Sequence, residues 1–117
     1  MVSSMNDCIF CKIIRGDIPA TFVQQDEGFV AFADINPKAP VHLLVMPRRH
    51  VRSVNEVADQ DADFGQRLLE FIAAAAATAG ISQTGYRVVI NNGPDAGQEV
   101  DHLHVHVLGG RELGDLT

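Results

Sequence analysis

The segment His102-Leu-His-Val-His-Val-Leu108 restricts the fold of this chain more than any other stretch. Histidine alternates with an aliphatic residue at a period of two, the side-chain period of a half-buried β-strand. Leu103, Val105 and Val107 are therefore expected to face a core, with His102, His104 and His106 sharing the opposite face. Same-face neighbours stand roughly 6.5–7 Å apart along a strand, which sets His102 and His106 about 13 Å apart at Cα. Imidazoles so spaced do not converge easily on one metal ion. They suit separate tasks along an extended, charged ligand, and a phosphate chain is the obvious candidate. A single strand histidine is more often structural, and a pair at i and i+2 also occurs in zinc sites. Three in strict alternation before Gly109-Gly110-Arg111, in a chain with five histidines, favour a functional row.

The rest of the chain supplies one domain over residues 1–117, with residues 1–6 expected to be flexible. Cys8-Ile-Phe-Cys11 running to Gly16 reads as a short N-terminal helix, broken by Pro19. Thr21–Gln24 and Phe29–Ala33 read as strands joined at Asp26-Glu27-Gly28, followed by a turn at Asp34-Ile35-Asn36-Pro37. His42–Met46 is an apolar strand stopped by Pro47. Ser53-Val-Asn-Glu56 fits a capping box. A long helix is expected from Asp59 to about Ala79, because Phe64, Leu68, Phe71, Ile72, Ala75 and Ala76 recur at three- and four-residue steps. Gly80 would cap it. Tyr86–Asn91 and the histidine segment are the last two strands, separated by a tight loop at Gly93–Gly97. The fold class is α+β, an antiparallel sheet of about five strands with the long helix on one face.

Charge and cysteine usage narrow the function. A net charge of -6 opposes non-specific nucleic-acid binding, which needs a basic face. No apolar run approaches the roughly 18–20 residues of a membrane span. Residues 1–5 lack a signal peptide's basic start and apolar centre, so a cytoplasmic location is expected. Cys8 and Cys11 are the only cysteines. In a cytoplasm they read as metal ligands or a redox pair before a structural disulfide.

Taken together, these motifs resemble the histidine triad (HIT) family of nucleotide hydrolases and transferases. His-φ-His-φ-His-φ-φ, with φ apolar, is that family's signature. The resemblance extends over Cys8-Ile-Phe-Cys-Lys-Ile-Ile14, Asp34-Ile35 with Pro37, Ala39-Pro40 and His42, and Pro47-Arg-Arg-His50. It continues through Arg87–Asn91, Gly97-Gln98 and Gly109-Gly110-Arg111, and it is similar to the short Hint-type branch.

This resemblance implies a HIT-like fold and nucleotidyl transfer through a covalent intermediate on His104, without a catalytic metal. Neutral imidazole is a good nucleophile near pH 7, and phosphate bound to its nitrogen can pass to water. His104 would attack the α-phosphate of a purine nucleotide ester, amide or anhydride. His106 would donate to a phosphate oxygen, and His42 would pack close to the triad. Asp34 would hold the ribose hydroxyls, with Ile35, Phe10 and Phe32 lining the base slot. Asn91, Gly97, Gln98 and Glu99 fall on the phosphate and leaving-group side. The resemblance further implies a structural zinc on Cys8, Cys11, His50 and His102, and a homodimer.

Two positions depart from the family pattern. Glu99 stands where a serine often assists the leaving amine, and Asp101 where an aromatic residue often precedes the triad. Three rival functions remain open to the sequence. A dinucleoside polyphosphate hydrolase would use the same nucleophile on a longer substrate. A nucleotide-binding module would bind product tightly with incidental turnover. A zinc hydrolase using the histidine row as ligands would lose activity to chelators.

Overall fold

The computed structural model describes residues 7–115, so the expected flexibility of residues 1–6 lies outside the described residues. Five strands, β1 (Phe22–Gln25), β2 (Phe29–Ala33), β3 (Val41–Pro47), β4 (Tyr86–Ile90) and β5 (Val105–Gly109), form one antiparallel sheet in the order β1-β2-β3-β5-β4. Helix α1 (Ile9–Arg15) precedes the sheet and α2 (Phe64–Thr78) lies between β3 and β4. The α+β expectation, with about five strands and two helices, agrees with this architecture.

Register decides which side chains meet. Leu43 pairs with Val107 and Val45 with Val105, so these four point to one face, with Phe29 and Ala31 of β2. They pack against Phe64, Leu68, Phe71, Ile72, Ala75 and Ala76 of α2, all buried. The three- and four-residue steps of the sequence thus mark the side of α2 that meets the sheet, where each large side chain contributes roughly 1.5–3 kcal/mol by burial. Gly80 takes φ +79° just beyond the helix. Its N–H reaches the Ala77 carbonyl at 3.1 Å and the Ile81 N–H reaches Ala76 at 3.1 Å. This is a Schellman closure, and buried Ile81 joins the same core.

Two boundaries differ from expectation by more than one residue. The long helix begins at Phe64 rather than Asp59, because Val54–Asp59 forms a 3-10 helix that ends at an extended Gln60. Ser53 does cap that helix, its hydroxyl accepting from Asn55 N–H at 3.2 Å, while Glu56 accepts from Arg52 N–H rather than from Ser53. The histidine strand also enters the ladder only at Val105. Further back, Leu103 N–H turns to the Val51 carbonyl at 2.7 Å. On the facing strand Pro47 has no N–H to offer and its carbonyl lies 2.9 Å from His102 Nε2. Leu103, Val105 and Val107 nonetheless all reach the core as the alternation requires.

The opposite sheet face is divided. Cys8 caps α1, its Sγ accepting from Cys11 N–H at 3.3 Å, and Phe10 and Cys11 bury against Val30, Phe32, Leu44 and Met46. The remainder of that face is open between the 34–40 and 91–100 segments. The Gly109-Gly110 pair serves packing. A Cβ on Gly109 would lie 3.0 Å from Ile81 Cδ1, and Gly110 has φ +91° with a Cβ position 3.0 Å from Pro40.

Candidate active site and metal centre

The open part of the sheet face forms a cavity of about 560 Å³, within the range of small-molecule sites. Phe10, Asp34, His42, Asn91, Gly97, Glu99, His104 and His106 all line it. Eight expected site residues therefore converge on one place. β5 contributes His106, the segment just before it His104, and β3 His42. Asp34 follows β2 and Asn91 follows β4, so they stand at opposite sides of the cavity.

Backbone groups fix the protons on these imidazoles. His104 Nδ1 is 2.8 Å from the His102 carbonyl. A carbonyl can only accept, so Nδ1 carries hydrogen and Nε2 keeps a free lone pair. His42 is held the other way, since Lys38 backbone N–H donates to its Nδ1 at 3.0 Å. Its proton is then on Nε2, which donates to His106 Nδ1 at 2.9 Å. His106 in turn carries hydrogen on Nε2. Two neighbouring rings, with centroids 5.4 Å apart, thus offer the cavity opposite functions, a lone pair on His104 and a donor on His106.

Charge and burial support the neutral forms. Burial pushes His42 below the ordinary histidine pKa, with Asp34 opposing. Burial also lowers His106, helped by the neighbouring His104 and His42. Asp34 is itself oriented, since its Oδ1 accepts from Asn36 N–H at 2.8 Å and its Oδ2 lies 3.5 Å from His42 Nε2. Phe10 packs edge-on against His104, centroids 5.0 Å apart.

Three expected substrate residues are placed elsewhere. Ile35 is 92% exposed and does not line the cavity, because the Asp34 turn carries it outward. Phe32 is buried behind Phe10, centroids 6.3 Å apart, so it backs Phe10 rather than lining the cavity. Gln98 is occupied by its own loop, Nε2 donating to the Arg52 and Val100 carbonyls and Oε1 accepting from Gly93 N–H. Its amide shapes the loop that presents Gly97 and Glu99. Asp101 forms an ion pair with Arg52 at 2.9 Å. Lys38 and Asn36 line the cavity without having been singled out in the sequence. The Lys38 contribution to His42 is a backbone amide, which no residue type could reveal.

The second cluster lies beneath α1. Cys8 Sγ is 3.3 Å and Cys11 Sγ 3.6 Å from His102 Nδ1, and Cys11 Sγ is 3.1 Å from His50 Nδ1. All four ligand atoms lie within 4.8 Å of one another. A tetrahedral zinc with bonds of about 2.3 Å to sulfur and 2.0–2.1 Å to nitrogen needs sulfur–nitrogen edges of about 3.6 Å. The donor set fits. His102 directs Nε2–H to the Pro47 carbonyl at 2.9 Å, which leaves the Nδ1 lone pair facing the thiols. Burial drives its pKa down to about 4. Burial, reinforced by Cys8, pushes the Cys11 thiol up to about 11, so a cation at the centre of the cluster would supply the charge that favours thiolate.

Comparison with known proteins agrees with this geometry. The HIT domain family model matches residues 15–113. The purine nucleoside phosphoramidase of Escherichia coli strain K12 is 42% identical over 110 residues, covering 94% of this chain and 92% of that protein. A histidine triad protein from Clostridium difficile superposes with a TM-score of 0.89 at 43% identity, covering 99% of this chain and 100% of that one. A HIT family hydrolase from Legionella pneumophila does so with a TM-score of 0.86 at 45% identity, covering 92% and 96%. With the family model spanning most of its length and these relatives matching end to end, the chain belongs to the HIT domain family.

Proposed function

We propose that this protein is a purine nucleoside phosphoramidate hydrolase, or a nucleotidyl transferase using the same chemistry, with His104 as the nucleophile. The observation that carries this reading is the opposed protonation of His104 and His106, set by the His102 carbonyl and the Lys38 amide. His104 Nε2 attacks the α-phosphorus and forms a P–N bond as the bond to the leaving nitrogen breaks. The electron pair departs on that nitrogen, which takes up one proton and leaves as the amine. His106 Nε2–H donates to a phosphoryl oxygen while charge builds there. Water then attacks phosphorus, the bond to His104 breaks and its electron pair returns to Nε2. The proton released from water balances the one taken by the amine. Asp34 would accept from the ribose hydroxyls, and Phe10 would pack against the base. The E. coli phosphoramidase likeness favours purines and P–N substrates.

Zinc held by Cys8, Cys11, His50 and His102 would clamp α1 to the segment before β5 and take no part in the reaction. We also place the protein in a reducing cytoplasm, which keeps both cysteines as thiols, and among homodimers. In support of the dimer, β4 is an edge strand, and its Val88 and Ile90 are exposed. Among the described residues no helix is long and apolar enough to cross a membrane.

The test is intact-protein mass spectrometry during turnover of an adenosine 5′-phosphoramidate. Wild type should show a transient adduct of one nucleoside monophosphate, before and after chelation. His104→Ala should show none and lose about 10⁴-fold or more in turnover. Turnover that follows metal content, with no adduct, would sink the nucleophile assignment.

A further inference from the structure

The cavity carries a carboxylate that the reaction above does not use. Glu99 lines the cavity with His104, is exposed, and makes no hydrogen bond or ion pair with the other described residues. Every other ionisable group in the cavity has a structural partner or stands on another side. Asp34 is engaged by Asn36 N–H and faces His42. Lys38 belongs to the 34–40 segment between β2 and β3 and is the only Lys or Arg among the described lining residues.

The sheet order gives the two sides different tasks. His42 and His106 come from the central strands β3 and β5 with His104 just before β5, the Asp34 side follows β2, and the Asn91–Val100 side follows β4. A phosphorus held at His104 and His106 has its nucleoside toward Asp34. The remaining substituent, the leaving group, is directed toward the segment that carries Glu99. On that side nothing among the lining residues offsets the negative charge.

The geometry points to Glu99 as the residue that sorts leaving groups by charge, favouring amines that bear a second, cationic group. Since Glu99 can do this only if His104 transfers a nucleotidyl group, the assignment rests on the reaction proposed above. A unit charge 4 Å from a carboxylate in a water-like medium changes an equilibrium by about fivefold. A cation and an anion at that place therefore differ by about 25-fold at 4 Å and by about tenfold at about 6 Å. A polyphosphate leaving group would bring several negative charges against the same carboxylate, so dinucleoside polyphosphates would be poor substrates.

Three adenosine 5′-phosphoramidates of similar size test this, made from 1,3-diaminopropane, n-propylamine and β-alanine. The quantity read is the ratio of kcat/KM for the cationic over the anionic compound, in wild type relative to Glu99→Gln. This double ratio cancels the intrinsic reactivity of each amine. It should be about tenfold at low salt and shrink toward one as ionic strength rises, because exposed charges are screened. Glu99→Lys should reverse the preference. A double ratio near one, with all three compounds turned over by wild type, would overturn the role of Glu99 and leave the nucleophile standing. Failure of wild type to turn over any of the three, with no mass adduct, would overturn both.

Discussion

The Cys8/Cys11/His50/His102 group and the Asp34/His42/His106 group each bring their ligand atoms within 4.8 Å of one another. By distance alone both are metal sites. The far nitrogens separate them. In the first group the Pro47 carbonyl takes the His102 Nε2 proton, so Nδ1 faces the thiols as a lone pair. In the second group the Lys38 amide fills the His42 Nδ1 lone pair, so Nε2 must keep its proton. A metal ion there would have to displace that proton and make an imidazolate. One backbone acceptor and one backbone donor thus make a ligand set and a proton-holding relay from the same residue type. This comparison also weakens the zinc-hydrolase alternative, which needs lone pairs where the relay holds hydrogen.

Breaking the first group should give the largest effect. Cys8→Ser with Cys11→Ser, or removal of metal from metal-loaded protein, is expected to cost about 3–5 kcal/mol, lowering Tm by about 10–20 °C. Calorimetry of metal-loaded and stripped protein measures this directly. An unchanged Tm would remove the metal from the account. Turnover per folded molecule at low temperature should change far less than Tm suggests.

Acid comes next and sharpens the contrast. His102 in the metal-free fold has its pKa lowered from 6.5 to about 4. The unfolded chain therefore binds more protons between these values. Stability is retained above pH 6.5 and falls as pH drops toward 4, by about 3 kcal/mol from this residue. Urea midpoints of stripped protein at pH 7 and 4.5 should show the loss, and His102→Asn should flatten it. His42 and His106 are also shifted downward by burial, so the relay in metal-loaded protein should keep its neutral proton pattern below pH 6.5.

Breaking the relay should have the smallest energetic effect but the clearest catalytic one. His42→Ala removes the donor that sets the His106 tautomer and should lower kcat/KM by about 10–100-fold, or about 1.4–2.7 kcal/mol. Single-turnover kinetics should place the loss in adduct formation. A normal rate of adduct formation in this variant would show that His106 needs no help from His42.

The sequence exposed most of the fold because its periodicities matched burial. The alternation at Leu103, Val105 and Val107 and the stripe on α2 both mark core faces. It failed where a local backbone bond decides the outcome. Nothing in residue type shows that Leu103 N–H leaves the ladder for Val51, or that Gln60 ends a 3-10 helix before the long one starts. Site residues divide in the same way. His104, His106, His42, Asp34 and Asn91 occupy positions whose strand register brings them together. Ile35 and Gln98 stay off the cavity lining because a turn and a self-bonded loop, invisible in a linear pattern, direct their side chains elsewhere.

His102 serves both the thiol cluster and the cavity, by different atoms. Its ring faces the thiols, while its main-chain oxygen holds the hydrogen on His104 Nδ1. Every amino acid brings a main-chain oxygen to that position. A substitution series across residue 102 would therefore sample the ring's task and stay largely blind to the oxygen's, provided the local chain path survived. The contact that orients the His104 ring is thus buffered against exchange of letters at 102 and exposed to anything that bends the backbone, such as an insertion between Asp101 and His104. In this molecule a change in spacing near the triad carries more risk than a change in identity at its first histidine.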